Sequence, residues 1–236
     1  MIDTAMLMAA GLGKRMRPLT ATRPKPLVKV AGKPLMDHAL DRLEAGGVSK
    51  VVVNVHYLAD TVEAHLKARR CATVFAVSDE RGKLLETGGG LMKARPLLGD
   101  RPFFCANSDN LWIDGPQETL GAMQRVWDPE RMDALLLLVP LARATCHSGP
   151  GDFHMDAMGR LTRRKTAHVA PFVFTGVQIL SPTLLTDPPG DVFSTNVFWN
   201  RAIEARRLYG MSHQGLWFDV GTPGAIPVVE SMIAHG

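Results

Sequence analysis

Cysteine is scarce in this 236-residue chain. Cys71, Cys105 and Cys146 are odd in number and far apart, and no Cys-x-x-Cys pair occurs. Such spacing offers neither a zinc site nor a disulfide framework, and scattered thiols suit a reducing compartment. Long apolar runs are also missing: none approaches the ~18 residues that span a bilayer. The N-terminus lacks the basic segment and long apolar stretch of a secretory signal. A soluble cytoplasmic protein with no membrane partner is expected. There is no basic arm either. The longest cationic run is Arg163-Arg164-Lys165, and aromatics are only 6 % of residues and not interleaved with cations. Stacking on single strands has little to rest on, so no nucleic-acid partner is expected. What the chain does contain is core material: 46 % hydrophobic against 21 % charged residues, an ordinary globular balance. Its net charge of +4 is compatible with small anions.

Apolar runs alternate in period along the first 140 or so residues. Residues 5–8 read as a buried strand, and 35–43 as a helix with apolar positions Leu35, Met36, Ala39, Leu40 and Leu43, stopped by Gly46-Gly47. Val51-Val52-Val53 is β-branched without alternation, which predicts a strand covered on both faces. A helix is expected over 58–68 with Asp60 as its N-cap, a strand over 73–77, a helix over 91–97, and a strand over 103–106. A helix over 116–126 and a strand over 134–139 follow. Strand–helix alternation of this kind predicts a parallel sheet built from βαβ units. The rhythm then breaks. Residues 149–164 read as a hairpin with turn residues Asp156 and Gly159, 171–180 as a strand, 197–205 as a helix, and 217–220 as a strand running into a turn. A last helix is expected to start near Pro223 and end at Ala234. One domain is expected, with a small insertion at about 140–180.

The chemistry is most concentrated at residues 9–20, Ala-Ala-Gly-Leu-Gly-Lys-Arg-Met-Arg-Pro-Leu-Thr, followed by Pro24-Lys25-Pro26. Two glycines after a strand allow a tight turn and close approach of the backbone to a ligand. Exposed N–H groups beside Lys14 and Arg15 would suit a polyphosphate. Two common phosphate loops are disfavoured. A dinucleotide fingerprint needs a third glycine where Met16 stands. A Walker A loop needs an upstream glycine and a Ser or Thr after Gly13-Lys14, where Arg15 stands. Proline on both sides of Lys25 would lower the entropy of holding it in place.

The order Gly11, Gly13, Arg15, Met16, Pro18, Thr20, Pro24, Lys25, Pro26 resembles the signature of the sugar-1-phosphate nucleotidylyltransferases. The resemblance implies an α/β fold: a Rossmann-like, mostly parallel mixed sheet flanked by helices, of the nucleotide-diphospho-sugar transferase type. It implies attack by a sugar-1-phosphate oxygen on the α-phosphorus of a nucleoside triphosphate, with pyrophosphate leaving. On that reading, Ala10, Gly11, Leu12, Gly13 and Lys14 bind the nucleotide. Arg15 and Lys25 are the catalytic cations, and Asp109 and Asp219 hold Mg2+. Asp109 follows a predicted strand, at the edge where α/β sheets place ligands. Ser108 occupies a position where the family usually has glycine.

Glu86, Thr87, Gly88 and Gly89 resemble the segment that meets the base and ribose; Thr87 also reads as a helix cap. The Leu-Glu-Thr-Gly-Gly-Gly and Gly-Asp-Phe forms are similar to the N-acetylmuramate-1-phosphate uridylyltransferase branch. Its substrates, UTP and a sugar 1-phosphate, are therefore the expected partners. Asn107, Asp152, Thr175 and Gly176 are the implied sugar-phosphate contacts. Alternatives are a mannose-1-phosphate guanylyltransferase and a non-catalytic nucleotide-sugar-binding regulator. His56, His147, His154, His168 and His213 form no ligand or triad pattern and read as structural or solvated. Arg163, Arg164 and Lys165 read either as a sugar-side anion site or as a solvated face.

Overall fold

Val51, Val52 and Val53 are wholly buried on a strand one in from the edge of a nine-stranded mixed sheet in the computed structural model, which describes residues 1–235. The chain enters through β1 (Thr4–Met8), then makes a small ribbon of β2 (Lys29–Val30) and β3 (Lys33–Pro34) before helix α1 (Leu35–Ala45). It continues through β4 (Lys50–Val55), α2 (Ala59–Ala68), β5 (Val74–Asp79), α3 (Glu86–Leu98) and β6 (Phe103–Asn107). Strands β6, β1, β4 and β5 lie side by side in that order and all run parallel.

Alternate residues of these strands supply opposite faces, as a two-residue period requires. Leu7, Val51, Val53 and Phe104 pack on one side with Met36, Leu40 and Leu43 of α1 and Val62 and Leu66 of α2. Met6, Val52, Phe103 and Cys105 pack on the other with Leu91, Ala94 and Leu98 of α3. Helices on both faces explain why the strands are apolar throughout rather than alternating.

After β6 come β7 (Asn110–Ile113), α4 (Thr119–Val126), β8 (Ala134–Pro140), β9 (Phe153–Met155), β10 (Leu161–Arg163) and β11 (Phe172–Leu180). The chain ends with α5 (Asn196–Glu204), β12 (Leu208–Ser212), β13 (Leu216–Asp219) and α6 (Ala225–His235). β11 runs antiparallel to both β6 and β8, and β12 runs parallel to β8, so the sheet is mixed. β13 pairs with β7 in a separate two-stranded ladder. The span expected as an insertion divides in two. β9 and β10 form an antiparallel hairpin at the sheet edge, whereas Phe172–Leu180 is a strand of the central sheet.

Two local expectations are corrected. Leu58, at φ +50°, precedes α2 as its N-cap, and Asp60 lies inside the first turn. α3 begins at Glu86, so Thr87 is helical and not a cap. Its glycines persist in a helix because the 191–193 segment presses against them: a Cβ on Gly88 would lie 2.5 Å from the Phe193 ring.

Candidate active site

The first loop is held by contacts among its own glycine, threonine and lysine. Gly13 has φ +60°, and a Cβ there would fall 2.9 Å from Lys25 Cβ and 3.0 Å from Thr20 Cγ2. The Thr20 hydroxyl donates to the Gly13 carbonyl at 2.8 Å. The three residues therefore interlock as one unit. Met16, fully buried, anchors that unit in a third apolar cluster with Leu111, Phe218 and Val220. The same cluster seats β7 and β13, so one piece of core positions the loop and the second carboxylate together.

Gly11 behaves differently. A Cβ on Gly11 would meet no protein atom within 4 Å, and its backbone lines the cleft. The fold itself leaves room for a side chain there, so packing does not account for the glycine.

A cavity of about 280 Å³ opens at the carboxyl ends of β1, β4 and β6. Ala9, Ala10 and Gly11 form one wall, Glu86 and Thr87 face them, and Asn107, Ser108 and Asp109 close the end. It runs into a neighbouring hollow of about 400 Å³ lined by Leu12, Gly13, Lys14, Arg15 and Gly221. Gly11, Lys25 and Asp109 border both. The result is one groove with a cationic loop on one side and carboxylates on the other.

At the junction, Lys25 Nζ lies 2.5 Å from Asp109 Oδ2. The lysine side chain is 11 % exposed and the aspartate 33 %, so the pair meets the groove through the carboxylate. Ser108 keeps the turn intact without glycine: its N–H donates to the Met8 carbonyl at 3.0 Å, and its side chain is buried. Asp219 is brought beside Asp109 by the ladder, because it pairs in register with Asn110. Asp219 Oδ2 lies 3.2 Å from His147 Nδ1. A Cβ on Gly221 would lie 3.1 Å from Asp219 Oδ1 and 3.2 Å from an Arg15 terminal nitrogen, so these groups share one corner.

Among the described residues, no three His, Cys, Asp or Glu side chains form a metal-holding group. Two carboxylates beside a phosphate loop instead match a magnesium that takes most of its oxygens from substrate and water. His147 is a residue that sequence spacing did not reveal. It reaches Asp219 across 72 positions, which only tertiary structure reports. Cys105 is buried in the core, and burial pushes its thiol up to about 12.

Several expected contacts lie elsewhere. The N–H groups of Gly88 and Gly89 both donate to the Phe193 carbonyl, at 2.8 and 3.1 Å, so they are committed to packing. Thr175 is wholly buried, and its hydroxyl donates to the Leu137 carbonyl at 2.9 Å. It has no surface to offer a sugar. Gly176, at φ +83°, makes room for Asn110 and Asn107 above it, and supports the groove rather than lining it. Asp152 accepts the Phe174 N–H at 2.9 Å, which ties the β9–β10 hairpin to β11; it is not among the cavity walls. Arg163 lies over the Phe153 and Trp199 rings, 5.4 and 5.5 Å from their centroids, and bonds Asn196 and Asn200. It is a structural arginine, and burial holds it below the usual guanidinium range. Arg164 is likewise spent on the carbonyls of Gly151 and His168.

A groove at the carboxyl ends of a mostly parallel sheet, with a glycine-bearing cationic loop facing two carboxylates, is the site of a nucleotide-handling α/β enzyme. The Nucleotidyl transferase family model matches residues 4–145. The chain belongs to that family, and specifically to the sugar-1-phosphate nucleotidylyltransferases. It is 46 % identical to the N-acetylmuramate alpha-1-phosphate uridylyltransferase of Caulobacter vibrioides, over 98 % of this chain and 97 % of that one. It is 37 % identical to the enzyme of the same name from Neisseria meningitidis serogroup B, over 92 % and 93 %. A crystal structure of UDP-glucose pyrophosphorylase with UDP-glucose superposes with a TM-score of 0.79 at 17 % identity, covering 100 % of this chain and 99 % of that one. That likeness establishes the shared fold. No helix among the described residues is long and apolar enough to cross a membrane.

Proposed function

We propose that the chain transfers a uridylyl group from UTP to N-acetyl-α-muramate 1-phosphate, giving UDP-N-acetylmuramate and pyrophosphate. A phosphate oxygen of the sugar phosphate attacks the α-phosphorus. The bond to the β-phosphate breaks, and the electron pair leaves with pyrophosphate. The observation that carries the reaction class is the Lys25–Asp109 pair at 2.5 Å, seated where the phosphate loop meets the carboxylate end of the groove. The substrate pair is supported by likeness to the relatives of that name.

In this reading Gly11 to Gly13 offer backbone N–H groups to the triphosphate, and Arg15 adds charge from the exposed side of the loop. Lys25 neutralises negative charge developing at the α-phosphate, the largest contribution such a site makes. Asp109 and Asp219 would hold magnesium, which when bound neutralises phosphate oxygens and orients the leaving group. Glu86 and Thr87 face the nucleoside, and Asn107 faces the sugar. Free thiols at Cys71, Cys105 and Cys146 suit a cytoplasmic enzyme in cell-wall precursor recycling.

The test is pyrophosphate release by purified protein with magnesium, crossing UTP, GTP, CTP and dTTP with N-acetylmuramate 1-phosphate, mannose 1-phosphate and glucose 1-phosphate. UTP with N-acetylmuramate 1-phosphate is expected to give the highest kcat/KM. Faster turnover of GTP with mannose 1-phosphate would overturn the substrate assignment, and silence in every pairing would overturn the activity.

A further inference from the structure

Two residues outside the expected site join its two walls from beneath. Asn54, at the end of β4, is 2 % exposed, and Glu80, just after β5, is fully buried. Asn54 Oδ1 accepts the Ala9 N–H at 2.7 Å. Asn54 Nδ2 donates to Glu80 Oε1 at 2.7 Å. Glu80 Oε2 accepts the Leu85 N–H at 3.1 Å. Ala9 opens the phosphate loop, and Leu85 precedes the Glu86–Thr87 wall at the start of α3. A continuous buried relay therefore spans the floor between the triphosphate side and the nucleoside side.

Glu80 is held independently of this relay. Its N–H donates to the Val55 carbonyl at 2.8 Å, and its carbonyl lies 2.7 Å from His56 Nδ1. The third glycine of α3 also belongs here. A Cβ on Gly90 would lie 2.9 Å from Glu80 Oε1 and 3.1 Å from Asn54 Nδ2. The helix rests directly on the relay.

The chemistry of the relay is restrictive. Both ends present N–H donors, so both terminal positions must accept. The central contact needs one donor and one acceptor. One carboxylate and one amide meet these conditions; two amides leave a donor facing a donor, and two carboxyls leave two acceptors face to face once neither holds a shared proton. In a buried site each mismatch is costly.

We infer that Asn54 and Glu80 are positioning residues, which set the spacing between the phosphate loop and the nucleoside-facing turn and so the nucleotide's fit. This rests on the nucleotidyl-transfer reading of the groove. The parity rule supplies its test, because exchanging the two groups restores the pattern. In N54D/E80Q the carboxylate stands on β4 and the amide after β5. The carboxylate then accepts from the Ala9 N–H and from the amide, and the amide oxygen accepts from the Leu85 N–H.

Asn54→Asp, Glu80→Gln and the double variant would be compared with the wild type in two ways. The first is amide hydrogen exchange without substrate, at residues 9–13 and 85–87. Each single variant, Asn54→Asp at a pH alkaline enough to remove a proton shared by its two carboxyls, is expected to speed exchange at both ends, and the double variant to restore protection. The second is steady-state kinetics with whichever nucleoside triphosphate the wild type uses best. Single variants are expected to raise the nucleotide KM about tenfold to a hundredfold with the sugar-phosphate KM little changed; the double variant should return within about threefold of wild type. Singles that exchange faster at one end only, or a double variant no better than the product of the singles, would overturn the relay. Coupled exchange with an unaltered nucleotide KM would overturn the positioning role. A wild type that turns over no nucleotide would refute the functional reading, while the exchange comparison would still decide the relay.

Discussion

Asp219 lies directly across the β13–β7 ladder from Asn110, the immediate chain neighbour of Asp109. Two carboxylates far apart in the chain become neighbours through that register. Asp109→Asn and Asp219→Asn should each lower kcat/KM by about a hundredfold or more, because each takes an anionic oxygen from the proposed metal site. Asp219→Asn should keep wild-type melting behaviour, since its side chain is 30 % exposed, whereas Asp109→Asn should fold but melt lower, because it leaves the nearly buried Lys25 without its counter-charge. A titration with Mn2+ and nucleotide should show weakened metal binding in each. Wild-type metal affinity in both would remove them from that role.

Gly11 and Gly13 separate ligand fit from fold. Gly11→Ala should fold normally, because the added Cβ meets no protein atom within 4 Å, yet should bind nucleotide poorly. Gly13→Ala faces φ +60° and a 2.9 Å approach to Lys25 Cβ. It should lose about 1–3 kcal/mol of stability. Denaturant melts and nucleotide KM measured on both variants check the contrast; equal stability loss in the two would contradict it.

Thr175 offers a direct check on a role the fold assigns. Thr175→Val keeps the shape and removes the hydroxyl that donates to the Leu137 carbonyl at 2.9 Å. Stability should fall by about 1–2 kcal/mol, with the sugar-phosphate KM unchanged. A KM effect in a fully stable variant would restore Thr175 to the sugar pocket.

His213 should give the fold an acid limb. Burial holds its imidazole below the usual range, against the pull of the Leu216 and Ile113 carbonyls and of Asp114; Arg143 adds a small push in the same direction as burial. Between the folded value and about 6.5, the unfolded chain binds more protons. Stability should therefore fall as pH drops through that window and level off below it. His38, also lowered chiefly by burial, contributes with the same sign. His213→Asn should flatten part of the slope that sets in below about pH 6.5 in urea melts. An unchanged slope would place the proton uptake elsewhere.

The strand–helix order was readable because buried parallel strands and amphipathic helices leave different periods in the sequence. Val51 to Val53 and the apolar face of α1 are examples. The short strands β2, β3, β7 and β12 carry too few residues for a period, and β12 contains Gly210. Three glycines disguised the first turn of α3, since what packs against them, Phe193 and Asp191 on Gly88 and Gly89, and Glu80 and Asn54 on Gly90, lies elsewhere in the chain. The cationic glycine loop was legible because its residues, among them Gly11, Gly13, Arg15 and Lys25, lie close in sequence. The sugar side was not. Thr175 is buried and bonded to the Leu137 carbonyl, Gly176 packs under Asn110 and Asn107, and Asp152 accepts the Phe174 N–H through Oδ2, contacts that spacing along the chain did not report.

Local chemistry thus determined the family, the fold class and the cationic half of the site. A tight glycine-bearing loop with clustered cations carries its instructions in a short consecutive stretch. Tertiary structure alone decided which groups face that loop. Asp109 and Asp219 were already named by the resemblance; the His147 contact and the Asn54–Glu80 relay depend on strand register and on burial. Those are properties of the packed sheet, and no spacing along the chain encodes them.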